Sequence, residues 1–181
     1  MDLDEVNSQA SARRSDRRTW RLAGVLVVVL IVAAGLTIAL LGGKGSSGVL
    51  SPAAQQFDAA YTAFHSQYDS RANQLTMHLD QAGDSPGDPK FMMAAGDAKA
   101  LADDYQMYSA AVKAIAMPPT ATGGQTRVVQ AASAGDFLMT QAAAFFGKAG
   151  MKATLDADWP QVKTELAQAE ATTRSALGLS G

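Results

Sequence analysis

Apolar positions follow two regimes along the chain. Residues 22–41, LAGVLVVVLIVAAGLTIALL, form one continuous apolar run without a charge or a proline. From residue 52 onward, apolar residues instead recur every three or four positions, the spacing that lines one face of a helix. Ser51-Pro52 reads as an N-cap and first helical residue. The helix it opens carries Phe57, Tyr61, Phe64, Tyr68, Leu75, Leu79 and Ala82 and runs to Gly83. GDSPGDP breaks the chain, and Asp88-Pro89 opens a second helix with Phe91, Ala94, Ala98, Leu101, Tyr105, Tyr108, Val112 and Ile115 in phase, ended by Pro118-Pro119. A linker over 118–124 leads to a third helix with Val128, Ala131, Gly135, Leu138, Ala142 and Phe145 on its seam, and Gly135 predicts a close helix approach. Asp158-Trp159-Pro160 starts a fourth with Trp159, Val162, Leu166, Ala169, Thr173 and Ala176, closed by Gly178. Strand patterns are missing, so the fold class is all-α, and short connections between long helices predict an antiparallel four-helix bundle over 52–181.

The run at 22–41 predicts a single transmembrane helix, because twenty helical residues span about 30 Å, the thickness of a hydrocarbon core, and satisfy their own backbone hydrogen bonds in lipid. Arg13, Arg14, Arg17, Arg18 and Arg21 crowd its amino-terminal side, against Lys44 alone just beyond it. Basic flanks stay cytoplasmic, which predicts a cytoplasmic tail at 1–21, a flexible linker at 42–51 and a bundle outside the cytoplasm. A cleaved signal peptide shares this order of segments, but its apolar region is about 7–15 residues long. The uncleaved anchor is therefore the preferred reading. Gly35 and Ala39 give the span a small-residue face, which suits either plain anchoring or self-association and docking beside another membrane protein.

Charge narrows the partners. Beyond the span ten basic residues stand against thirteen acidic ones, a mildly acidic balance that argues against nucleic acid as a ligand. The chain has no cysteine, so a lipid-modified cysteine anchor and disulfides are excluded.

Candidate chemistry is sparse. Di-iron bundles use inward carboxylates with Glu-x-x-His pairs, and the only glutamates beyond the span are Glu165 and Glu170, without that motif. His65 and His78 lie thirteen residues apart on one helix, roughly 20 Å, too far to share a metal. Met77 beside His78 is a thioether and imidazole pair that a copper or haem site could use, yet methionine is also a common filler of bundle cores. Asp103-Asp104 reads as solvated, and Asp156 with Asp158 as helix-capping groups. No cofactor is expected. Tyr61, Tyr68, Tyr105 and Tyr108 fall on inward faces of two neighbouring helices, where their hydroxyls either frame a pocket for a small amphipathic molecule or reach solvent at the seam edge.

The alanine-rich helices, the Met117-Pro118-Pro119 break, the Trp159 helix start and the closing Thr173-Arg174-Ser175-Ala176-Leu177-Gly178-Leu179 resemble small helical extracytoplasmic proteins of high-GC actinobacteria, membrane-anchored or lipoprotein-like and without an assigned activity. That resemblance covers about residues 52–180 and implies a setting and a fold, with no site. The expected function is a membrane-anchored, non-enzymatic interaction module, an accessory subunit of a membrane or cell-envelope assembly. A ligand-binding or sensory ectodomain for a small amphipathic molecule or a metal is the alternative.

Overall fold

A computed structural model of the chain describes residues 50–82, 88–146 and 150–179. These form four α-helices in succession: α1 (Pro52–Gln81), α2 (Pro89–Lys113), α3 (Pro119–Phe145) and α4 (Met151–Ala176). Among the described residues there is no strand, and no helix is long and apolar enough to cross a membrane. The predicted tail, the span at 22–41 and all of the linker except Leu50 and Ser51 lie outside them.

Local chemistry sets the starts of α1 and α2. Ser51 Oγ accepts from the Ala54 amide at 3.2 Å and Asp88 Oδ1 from the Lys90 amide at 2.8 Å, each relieving an orphan donor of the first turn. A proline follows each cap, where its missing N–H costs nothing. At the other end of the chain, α4 closes as expected on Gly178. Its φ of 71° takes the left-handed turn, and Leu179 N donates back to Arg174 O at 2.9 Å.

Two boundaries depart from the sequence reading. Residues 120–124 belong to α3, where a linker was expected, even though they include Gly123 and Gly124. Tertiary contacts outweigh the glycine propensities: Ala121 is fully buried, Gly124 presses on Thr173, and Gln125 Nε2 donates at 2.8 Å to the carbonyls of Val112 and Ile115 at the end of α2. Likewise α4 begins at Met151, a full two turns before Asp158, after a left-handed Gly150 at φ 93°. Pro160 sits inside the helix, because Leu155 and Trp159, one turn apart, are both buried and hold the segment before it against the core. Asp156 and Asp158 are therefore helical rather than capping, and Asp156 pairs with Lys152 at 2.8 Å.

Neighbouring helices pack in order, α1 on α2, α2 on α3 and α3 on α4, while α1 and α4 approach each other at few points. Phe57, Leu75, Leu101, Tyr105, Val112, Val128, Met139 and Leu155 fill the core. Phe145 and Ala176, expected on seams, are exposed at helix flanks. Phe64, Tyr68, Tyr105, Tyr108 and Trp159 meet in one aromatic cluster within the core. Gly135 makes room for it: a Cβ there would stand 2.6 Å from Tyr105 ring carbons, which bears out the predicted close approach.

Candidate functional site: the α1–α4 groove

Because α1 and α4 are held apart, side chains rather than backbone proximity join them. The antiparallel register places Asp58 opposite Arg174 and His65 opposite Glu170. Arg174 Nη1 donates to Asp58 Oδ1 at 2.8 Å and its guanidinium lies 4.6 Å over the Tyr61 ring. His65 Nε2 stands 3.2 Å from both oxygens of Glu170, whose side chain is only 5% exposed. A groove of about 650 Å³ opens along this seam, lined by Tyr61, His65, Glu170 and Arg174 with Ala167, Ala171 and Leu179 among its small and apolar walls. A shallower concavity of about 600 Å³ continues it toward Pro160 and shares Ala167 and Ala171.

The four tyrosines divide between core and groove. Tyr68 and Tyr105 hydrogen-bond to each other through their hydroxyls at 2.9 Å, and Trp159 Nε1 donates to Tyr105 Oη at 3.4 Å. Both are enclosed in the aromatic cluster and line neither concavity. Burial pushes both phenols up in pKa, and for Tyr68 the neighbouring Tyr105 adds to the rise. Tyr61 is half-buried and lines the groove. Tyr108 is also buried in the core and lines neither concavity. Its ring stacks on Phe64, with centroids 4.4 Å apart and planes 11° from parallel, and its hydroxyl is buried. Burial raises its pKa, and the charge of Glu170 and a hydrogen bond to it add to the rise.

Met77 and His78 separate. Met77 is exposed, whereas His78 Nδ1 pairs with Asp97 on α2. Among the described residues no three His, Cys, Asp or Glu side chains gather in a way that could hold a metal ion. A further correction concerns the acidic pair on α2. Asp103 is solvated beside Lys99, but Asp104 is buried and bound to Arg71 of α1. Burial raises the Asp104 carboxyl above its ordinary pKa, and Arg71 opposes that rise. Sequence reasoning missed Glu170, Arg174 and Asp104 as built-in polar groups. The available signal was their spacing, since Glu170 and Arg174 follow Leu166 at steps of four on the flank of the α4 seam.

No protein-family model, curated protein or solved structure matches this chain.

Proposed function

We propose that the chain is a single-pass membrane protein, its span at 22–41 and its basic flank Arg13, Arg14, Arg17, Arg18 and Arg21 holding the amino terminus in the cytoplasm. The bundle then works outside the cytoplasm as a non-enzymatic interaction module, an accessory subunit of a membrane or cell-envelope assembly. The observation that carries the docking role is the bundle surface. Met92 is 80% and Phe137 65% exposed, and Met77, Met93 and Met107 are also exposed. Methionine and aromatic side chains are enriched where proteins meet, and the unbranched thioether adapts to a partner's shape.

Photo-crosslinking in native membranes tests this reading. A crosslinker at Met92 or Phe137 should capture one defined membrane protein, while one at exposed Thr62 should not. Absence of any adduct at 92 and 137, or equal capture at 62, overturns the docking role. Protease added to spheroplasts should digest the bundle, and full protection would overturn its location.

A second reading, a ligand-binding ectodomain, is favoured by one observation: the groove between α1 and α4 with a buried carboxylate on its floor.

A further inference from the structure

The seams of the bundle are built in two ways. α2 meets α3 and α3 meets α4 at glycines that admit a close neighbour, Gly135 against the Tyr105 ring and Gly124 against Thr173. Among the described residues no ion pair joins either pair of helices, since Lys99 with Asp103 and Lys152 with Asp156 each lie within one helix. α1 is attached differently. Among the described residues, all the ion pairs that link two helices include it: Asp58 and His65 reach Arg174 and Glu170 on α4, while Arg71 and His78 reach Asp104 and Asp97 on α2. Its other close approaches to α4 are few.

Two features make that attachment releasable. In each pair at least one side chain is 18% or more exposed, so water and salt reach it. Asp104, which meets Arg71 of α1, is buried with Oδ2 lacking a hydrogen-bond partner among the described residues, a penalty that undocking relieves by returning the carboxylate to water. Against this stand Phe57, Phe64, Leu75 and Leu79, whose burial keeps α1 docked in the resting protein. Most of a helix's stability comes from such a packed face, so α1 loses helix as it leaves. We propose that α1 is a strap, held by ion pairs that salt weakens, which undocks as a unit from a folded core of α2, α3 and α4. Its release uncovers Tyr105 and Tyr108 of α2, on which Tyr68 and Phe64 lie. The strap belongs to the bundle itself and is independent of what docks on it.

Native-state hydrogen exchange of the full chain, resolved by peptide mass spectrometry, tests this. Amides at 57–75 in α1 should exchange at least tenfold faster than those at 128–138 in α3. Gly124→Ala, whose Cβ would stand 2.4 Å from Thr173 Oγ1, should speed exchange in α3 and α4 at least fivefold and leave α1 unchanged, because α1 opens without parting that seam. Arg71→Met should speed exchange in α1 several-fold. Raising NaCl from about 0.1 M to about 1 M, which shortens the screening length from about 10 Å to about 3 Å, should do the same, with a smaller effect in the Arg71 variant. Exchange in the unaltered protein ranks the helices by itself, so the test stands even if Gly124→Ala fails to fold. Equal rates in α1 and α3, faster exchange in α4 than in α1, or acceleration of α1 along with α3 in Gly124→Ala overturns the proposal. Indifference of α1 to both salt and Arg71→Met overturns the ionic attachment and the strap with it. None of these outcomes bears on the docking role, which the crosslinking decides.

Discussion

Replacing Gly135 by alanine isolates the contact on which the aromatic cluster depends. The new Cβ would lie 2.6 Å from Cε1 and Cζ of Tyr105 and 2.8 Å from Cδ1. Carbon atoms pack best at about 3.5–4.0 Å, so the ring or the helix must retreat by about 1 Å. Tyr105 is poorly placed to do so, being fully buried with its hydroxyl bound to Tyr68 and Trp159. Alanine gains about 1 kcal/mol of helix propensity over glycine. Overpacking costs about 1–3 kcal/mol, and loosening the hydroxyl pair costs about 1 kcal/mol more. The expected net loss is about 1–3 kcal/mol. Gly96 and Gly123 are the internal controls, because nothing lies within 4 Å of a Cβ at either helical position. Alanine at each should stabilise by about 0.5–1 kcal/mol. Urea denaturation followed by circular dichroism reads all three, with an unchanged slope showing that folded-state stability is being compared. Introducing Gly135→Ala into a Tyr105→Leu background should reduce its penalty by about 1 kcal/mol or more, since the interaction term belongs to that pair. The reasoning fails if Gly135→Ala is as stable as the Gly96 and Gly123 variants, or if its penalty survives unchanged without the tyrosine ring.

Two further outcomes follow from buried charge and buried phenol. Arg71→Met should destabilise by about 2 kcal/mol at neutral pH, because the buried Asp104 carboxylate loses its cation. With Arg71 gone only influences that raise the Asp104 pKa remain, so the deficit should shrink as the pH falls and the carboxyl takes up its proton. Urea midpoints across acidic pH check this, and a deficit that grows toward low pH would refute it. Tyr68, Tyr105 and Tyr108 all have phenols raised above their unfolded value, so their contribution is complete below about pH 10 and is lost as the pH climbs beyond it, by up to about 1.4 kcal/mol per pH unit for each. Tyrosinate absorbance near 295 nm from these three should therefore rise only together with loss of the helical signal. Their ionisation within a still-helical protein would count against the buried cluster.

The helix starts at Ser51-Pro52 and Asp88-Pro89 were legible because a cap and a proline act within one turn, whatever surrounds them. The starts of α3 and α4 were not, since Gly123, Gly124 and Pro160 read locally as breakers and only contacts from other helices overrule them. Much the same holds for the candidate site. The inward placement of Tyr68, Tyr105 and Tyr108 follows from their spacing, but their spacing does not say which ring meets which.

From its own order of residues the chain determined that the part beyond residue 51 is helical, how its apolar seams run and where Gly135 permits close approach, because periodicity and capping act over a few neighbouring positions. Tertiary structure alone decided that α1 and α4 stand apart, that His65 reaches Glu170 across 105 residues, and that Asp104 is buried against Arg71 rather than solvated. A charged residue at the edge of an apolar stripe can turn to water or inward to a partner with almost the same local sequence. The choice rests on whether an opposite charge on another helix, brought there by the antiparallel register, offsets the cost of leaving water.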